Sequence, residues 1–283
     1  PFPTGTGWEC PDFFTVDGRH GLIFASHDDG GLNVAWMTGV YEHLRLHPAR
    51  VGLVDAGPSF YAPQSFTDEA GRRIMIGWLR ERRSDAAQIR AGWSGVMTLP
   101  RTLHIDADGM VISSPAPESK ALRSRHHQID PQSIAADGTV AGIRGMALEI
   151  EATFMSPQAT VGLIVAHAAD GSEETSILFD LGARVLTLDT TRSSTDPETS
   201  GMCNTAPVEF ATDGPITLRV FVDHSVVEVF LNDRLCVSDR VYPVGSDYAL
   251  AVVGSTELDQ LKVWELLRYR FCRKKSGFLS GNR

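Results

Sequence analysis

The stretch Phe13–His27, FFTVDGRHGLIFASH, decides the fold. Two apolar runs flank Asp17-Gly18, a dipeptide whose central residues readily take the positive φ of a tight hairpin turn, so it reads as strand, turn, strand. SFTDEAGRRIMIGW (65–78) repeats the design around Asp68 to Gly71, and TLHIDADGMVIS (102–113) does so around Asp108-Gly109. Helical periodicity is hard to find anywhere, and hairpins at this density predict an all-β protein. SSPAPESKALRSRHHQIDPQS (113–133) interrupts the pattern with three prolines, serines and mixed charge, and residues 116–135 are read as a linker. Beyond it, MALEIEATF, TVGLIVAHAADG, TSILFDLGARVLTLD, ITLRVFVDHSVVEVFLNDRLCV and YALAVVGS are again strands. In LRVFVD, Leu218, Val220 and Val222 share one face and Arg219, Phe221 and Asp223 the other, as two sheets packed face to face require. Residues 136–267 are therefore expected to form a β-sandwich.

The 283 residues carry a net charge of −9 and 42% hydrophobic residues, enough for a sizeable core. The acidic balance argues against a nucleic-acid surface, and no apolar run approaches the roughly 20 residues of a membrane span. The single basic cluster is terminal: residues 268–283 hold Arg268, Arg270, Arg273, Lys274, Lys275 and Arg283, a composition that reads as a disordered tail. Cysteines 10, 203, 236 and 272 follow no zinc or disulfide spacing, and the four-residue separation of His43 and His47 is weak support for a metal. No metal and no cofactor is expected. Four of five tryptophans, at 8, 36, 78 and 93, precede the linker, which places any sugar-stacking site in the first half.

Close to the start, GWECPDFF (7–14) sets Glu9 between an indole and a thiol. Desolvation there is expected to disfavour the charged form and leave Glu9 protonated, suited to act as a general acid.

WECPDFF (8–14), VDAGPSFYAPQSFTDEAGRRIMIGWL (54–79), AGWSGVMTLPRTL (91–103) and LRVFVDHSVVEVFLNDR (218–234) together resemble consecutive blocks of glycoside hydrolase family 32, the invertases, levanases and inulinases. The resemblance runs from residue 7 to about 266. It implies a five-bladed β-propeller followed by a β-sandwich, with residues 1–115 as later blades of the propeller. It also implies cleavage of fructofuranosyl bonds with retention, sucrose or fructans being the substrates. On that resemblance Glu9 is the acid/base, Cys10 lines its pocket, Asp55 lies near the sugar hydroxyls, Trp78 walls the fructose subsite and Tyr61 sits at the rim. The family's Asn-Asp-Pro nucleophile motif and its Arg-Asp-Pro motif are absent from the 283 residues. The chain therefore reads as a carboxyl-terminal portion, inactive alone, whose partner is a missing amino-terminal propeller segment. A non-catalytic fructan-binding or partner chain is the alternative.

Overall fold

The computed structural model describes residues 5–28, 31–155 and 159–267; the basic tail and Cys272 lie outside them. The expected first hairpin is present. Asp17 (φ 53°) and Gly18 (φ 70°) form its two-residue turn between β1 (Gly7–Val16) and β2 (Arg19–Asp28), with Val16 opposite Arg19. With β3 (Gly31–Glu42) and β4 (Arg45–Leu53) these strands make a four-stranded antiparallel meander in chain order. His43 and Leu44, both at positive φ, form the turn between β3 and β4.

A second sheet holds β5 (Phe60–Thr67), β6 (Arg73–Leu79), β7 (Val96–Met97), β8 (Arg101–Ile105) and β9 (Val111–Pro115), in the order β5-β6-β8-β9 with β7 beside β6. Its two hairpins share one device. An aspartate at the start of each loop accepts backbone N–H bonds, Asp68 from Ala70 and Arg72, Asp106 from Asp108 and Met110, and Gly71 or Gly109 completes the turn at positive φ. A single short helix, α1 (Asp85–Ala91), interrupts this sheet between β6 and β7; Ser84 caps it and Gly92 ends it in the left-handed region. The two meanders pack face to face like neighbouring propeller blades. Phe14, Ile23 and Trp36 of the first meet Phe60, Met75, Leu79 and Leu103 of the second.

The second half is a sandwich built from β10 (Arg123–Ile129), β11 (Thr139–Arg144), β12 (Ala147–Phe154), β13 (Thr160–Ala168), β14 (Thr175–Asp180), β15 (Val185–Asp189), β16 (Cys203–Pro207), β17 (Ile216–Asp223), β18 (Val226–Leu231), β19 (Leu235–Arg240), β20 (Tyr248–Val253) and β21 (Leu258–Leu266). Its sheets run β10-β21-β12-β17-β18-β19 and β11-β20-β13-β14-β15-β16. Leu218, Val220 and Val222 lie wholly inside, as their alternation requires. The stretch read as a linker holds a strand: β10 pairs with β21, so its polar sequence reflects an edge position rather than a hinge.

The two halves meet along a charged, fully buried seam. Arg101 on β8 gives Nη1 to Asp55 Oδ2 at 2.8 Å and Nη2 to Glu228 Oε2 on β18 at 2.6 Å and to Ser238 Oγ on β19 at 2.8 Å. Its guanidinium lies between the rings of Phe60 and Phe230, 5.0 and 5.2 Å from their centroids. Gly57 sits so close to β19 that a Cβ would stand 1.9 Å from the Ser238 carbonyl oxygen, so only glycine lets the Asp55 loop reach it. Nearby, Ser59 donates to Asp239 at 2.5 Å.

Candidate active site

Two β-bulges build the site. In β1 the register shifts between Glu9 and Asp12, with Cys10 at φ 49°; in β5 it shifts between Tyr61 and Gln64, with Ala62 at φ 45°. Bulges re-aim side chains out of the pleat, and here each turns one side chain toward the other. Gln64 ties them together by donating from Nε2 to the Cys10 carbonyl at 3.2 Å. Below the bulge, Asp12 accepts from Arg73 Nη2 at 2.9 Å and from the Ser65 hydroxyl, which fixes β1 against β5 and β6.

Glu9 and Tyr61 consequently meet, the phenol donating to Glu9 Oε2 at 2.5 Å. His27, near the end of β2, brings Nε2 to 3.2 Å from both Glu9 Oε1 and the Tyr61 oxygen. Trp78 is the register partner of Tyr61 on β6, and their rings meet edge-on with centroids 6.4 Å apart. Gly95, at φ 65°, leaves the room that the indole occupies, since a Cβ there would lie 2.1 Å from Trp78 Nε1. The Arg80 guanidinium covers the Tyr61 ring at 5.0 Å. The mouth is open: the Glu9 side chain is 53% exposed.

Within this chain Glu9 is thus open to solvent rather than desolvated as expected. The Tyr61 hydrogen bond first, then that of His27, hold its carboxyl below the ordinary 4.5, with burial opposing them. Tyr61 itself is pushed up to about 12, by burial first and then by Glu9, so it remains a donor. Replacing Tyr61 with Phe removes the largest of these influences, and the Glu9 carboxyl is expected to titrate at higher pH. Carbon-13 NMR of labelled glutamate reads this directly, and an unmoved midpoint contradicts the assignment of cause.

Of the residues singled out in the sequence, Glu9, Tyr61 and Trp78 stand together. Cys10 lies beside them on the bulge, exposed and with a free thiol. Asp55 is elsewhere, and its expected place near sugar hydroxyls is corrected. It is 4% exposed in the seam, with Oδ1 accepting from the Gly57 and Ser238 amides and Oδ2 from Arg101, Ser238 Oγ and the Cys236 thiol, which leaves no position for a ligand. Burial opposes its ionisation, but Arg101 and these donors hold its pKa below 3.8. His27, Gln64 and Arg80 had escaped notice. His27 closes the hairpin stretch quoted first, but one histidine among nine carries no local mark of its role.

The description "Glycosyl hydrolases family 32 N-terminal domain" fits residues 2–115, and "Glycosyl hydrolases family 32 C terminal" fits residues 118–265. The chain belongs to glycoside hydrolase family 32. The two family domains abut at the short 3₁₀ turn Pro117–Leu122. This family 32 chain is 29% identical to sucrose-6-phosphate hydrolase of Escherichia coli and 28% identical to fructan 1-exohydrolase of Bromus pictus. Each match covers 92% of the chain and 55% of the relative, so the chain spans about half the length of these proteins. In fold it resembles fructan 1-exohydrolase IIa from Cichorium intybus, with a TM-score of 0.80 at 21% identity, over 93% of this chain and 62% of that one. The propeller-plus-sandwich architecture expected from the sequence motifs is thus present, in part for the propeller.

Proposed function

We propose that this chain contributes the acid/base carboxylate of a retaining β-fructofuranosidase site acting on sucrose or fructans, with Glu9 in that role. The observation that carries the reading is the Glu9–Tyr61–His27 cluster at an open mouth beside the Trp78 indole. An indole offers a stacking face to the apolar C–H side of a sugar ring, and the cluster presents a carboxyl group to the glycosidic oxygen. In a retaining mechanism Glu9 gives its proton to the leaving oxygen as an aspartate about 5 Å away attacks the anomeric carbon, then takes a proton from the water that releases fructose.

The depressed pKa of Glu9 suits the second step. For the first, a neighbouring carboxylate is needed, because a like charge raises the pKa and its consumption in the glycosyl ester lowers it again. We assign that nucleophile to an Asn-Asp-Pro segment supplied from outside these 283 residues, and the chain by itself as inactive. Adding such a segment, fused or as a separate polypeptide, is expected to give fructose release from sucrose, inulin or levan oligosaccharides. Proton NMR of the first-formed anomer decides the stereochemistry: retained configuration is expected, and an inverted product overturns the covalent route.

A further inference from the structure

Trp93 follows α1 and is 44% exposed, yet Arg83 holds both its ring and its carbonyl. One face of its ring lies on the Arg83 guanidinium, 4.1 Å from Cζ to centroid, and Arg83 Nη2 also donates to the Trp93 carbonyl at 3.1 Å. Arg83 is fixed in turn by a two-point contact to Glu81, at 3.0 and 2.7 Å, and its side chain is almost wholly covered. Glu81 also accepts from the Gly95 amide at 3.2 Å and from the Tyr242 hydroxyl, and Arg240 supports the indole from the sandwich at 5.4 Å. Trp93 lines an open cleft of about 450 Å³ together with Asp85, Gln88, Ile89, Gly92 and Ser94.

A short backbone step links Trp93 to the site already described. Two residues after Trp93, Gly95 lies against the Trp78 indole. Two residues span at most about 7 Å, so the Trp93 backbone stands within that distance of the glycine packed on Trp78. A half-exposed indole held by cations, on a concave surface with a carboxylate beside it, is matched to a sugar ring. The sugar ring contributes apolar C–H bonds to the indole and a hydroxyl to Asp85, while Gln88 and Ser94, bonded to each other and, through Gln88, to the Arg83 carbonyl, shape the cleft wall. Because Glu81 and Arg83 already order the side chain, binding carries little entropic cost at this position.

We propose that Trp93 is a stacking platform for a further sugar unit of a fructo-oligosaccharide whose scissile bond lies at Glu9, so that it sets preference for chains longer than a disaccharide. The proposal rests on the fructosidase reading of the Glu9 site. Titration calorimetry of the full chain with sucrose and with an inulin-type pentasaccharide tests it, using the wild type, Trp93→Ala, Trp93→Phe and Trp78→Ala. Trp93→Ala is expected to lower the ratio of pentasaccharide to sucrose affinity by about tenfold, the equivalent of about 1.4 kcal/mol, and Trp93→Phe to keep most of it. An unchanged ratio in Trp93→Ala, or an equal loss for both sugars, overturns the platform. If Trp78→Ala still weakens both sugars in that case, the Glu9 site stands without it. Failure of the wild type to bind either sugar overturns both.

Discussion

Replacing Arg101 with alanine is expected to destabilise the folded chain by about 3–5 kcal/mol. The arginine is wholly buried and faces two buried carboxylates, Asp55 and Glu228, from opposite halves of the molecule. Removing it leaves both without a counter-charge in a place where water cannot reach, and the cost is that of the stranded charges rather than of the bond itself. The sign with pH follows. Burial already pushes Glu228 above 4.5 despite the pull of Arg101, so in the variant protonation becomes the way to relieve the seam. The gap between wild type and Arg101→Ala should narrow as pH falls through the carboxylate range, whereas a simple packing defect would keep it constant. Urea midpoints at several pH values measure this. A further comparison replaces Asp55, Arg101 and Glu228 together by apolar residues of similar volume, which is expected to cost less than Arg101→Ala alone. If the single variant unfolds at the same urea concentration as wild type, the seam is not held by this network.

The seam also explains what the sequence hid. Asp17-Gly18, Asp68–Gly71 and Asp108-Gly109 were legible because turn chemistry is local: each holds a glycine at positive φ, and Asp68 and Asp106 accept amides within four residues. The sandwich core was legible for a similar reason, since alternation in 218–223 names its inner face directly. Asp55 was not. Its partners at 101 and 238 lie far along the chain, and a carboxylate before glycine carries no mark to distinguish a sugar ligand from a buried counter-ion. The blocks VDAG, LPRTL and VVEVF meet in space because Arg101 bonds both Asp55 and Glu228 between the halves. The bulges escaped notice because cysteine and alanine occupy the positive-φ positions, where a glycine would have announced them. With both bulges unread, the meeting of Glu9 with Tyr61 could be expected only through family resemblance, and the opposite sense of the Glu9 pKa could not be expected at all. Desolvation was inferred from neighbours in sequence, but Trp8 faces away and stacks on Phe24 at 4.2 Å, leaving Glu9 to solvent and to its two hydrogen-bond partners.

Glu9→Gln separates the proposed chemistry from mere binding. Glutamine keeps the length of the side chain and an oxygen that can accept from Tyr61, so the mouth of the site should retain its shape. It cannot deliver a proton to the leaving oxygen or accept one from water. With the nucleophile-bearing segment supplied, turnover of sucrose is expected to fall by roughly 10²–10⁴-fold, the usual contribution of a positioned acid or base. KM should move little, because the interaction removed is one made in the transition state. A substrate whose leaving group needs no proton should suffer less in the first step, so fructosyl-enzyme should accumulate when water attack, now without its base, becomes limiting. The pH profile provides a second check. In wild type the alkaline limb follows loss of the Glu9 proton, and Tyr61→Phe should carry that limb to higher pH, since it removes a hydrogen bond that favours the carboxylate. In Glu9→Gln the limb should vanish. Near-normal turnover in Glu9→Gln, or an alkaline limb that survives the substitution unmoved, assigns the proton to another group and removes Glu9 from the reaction.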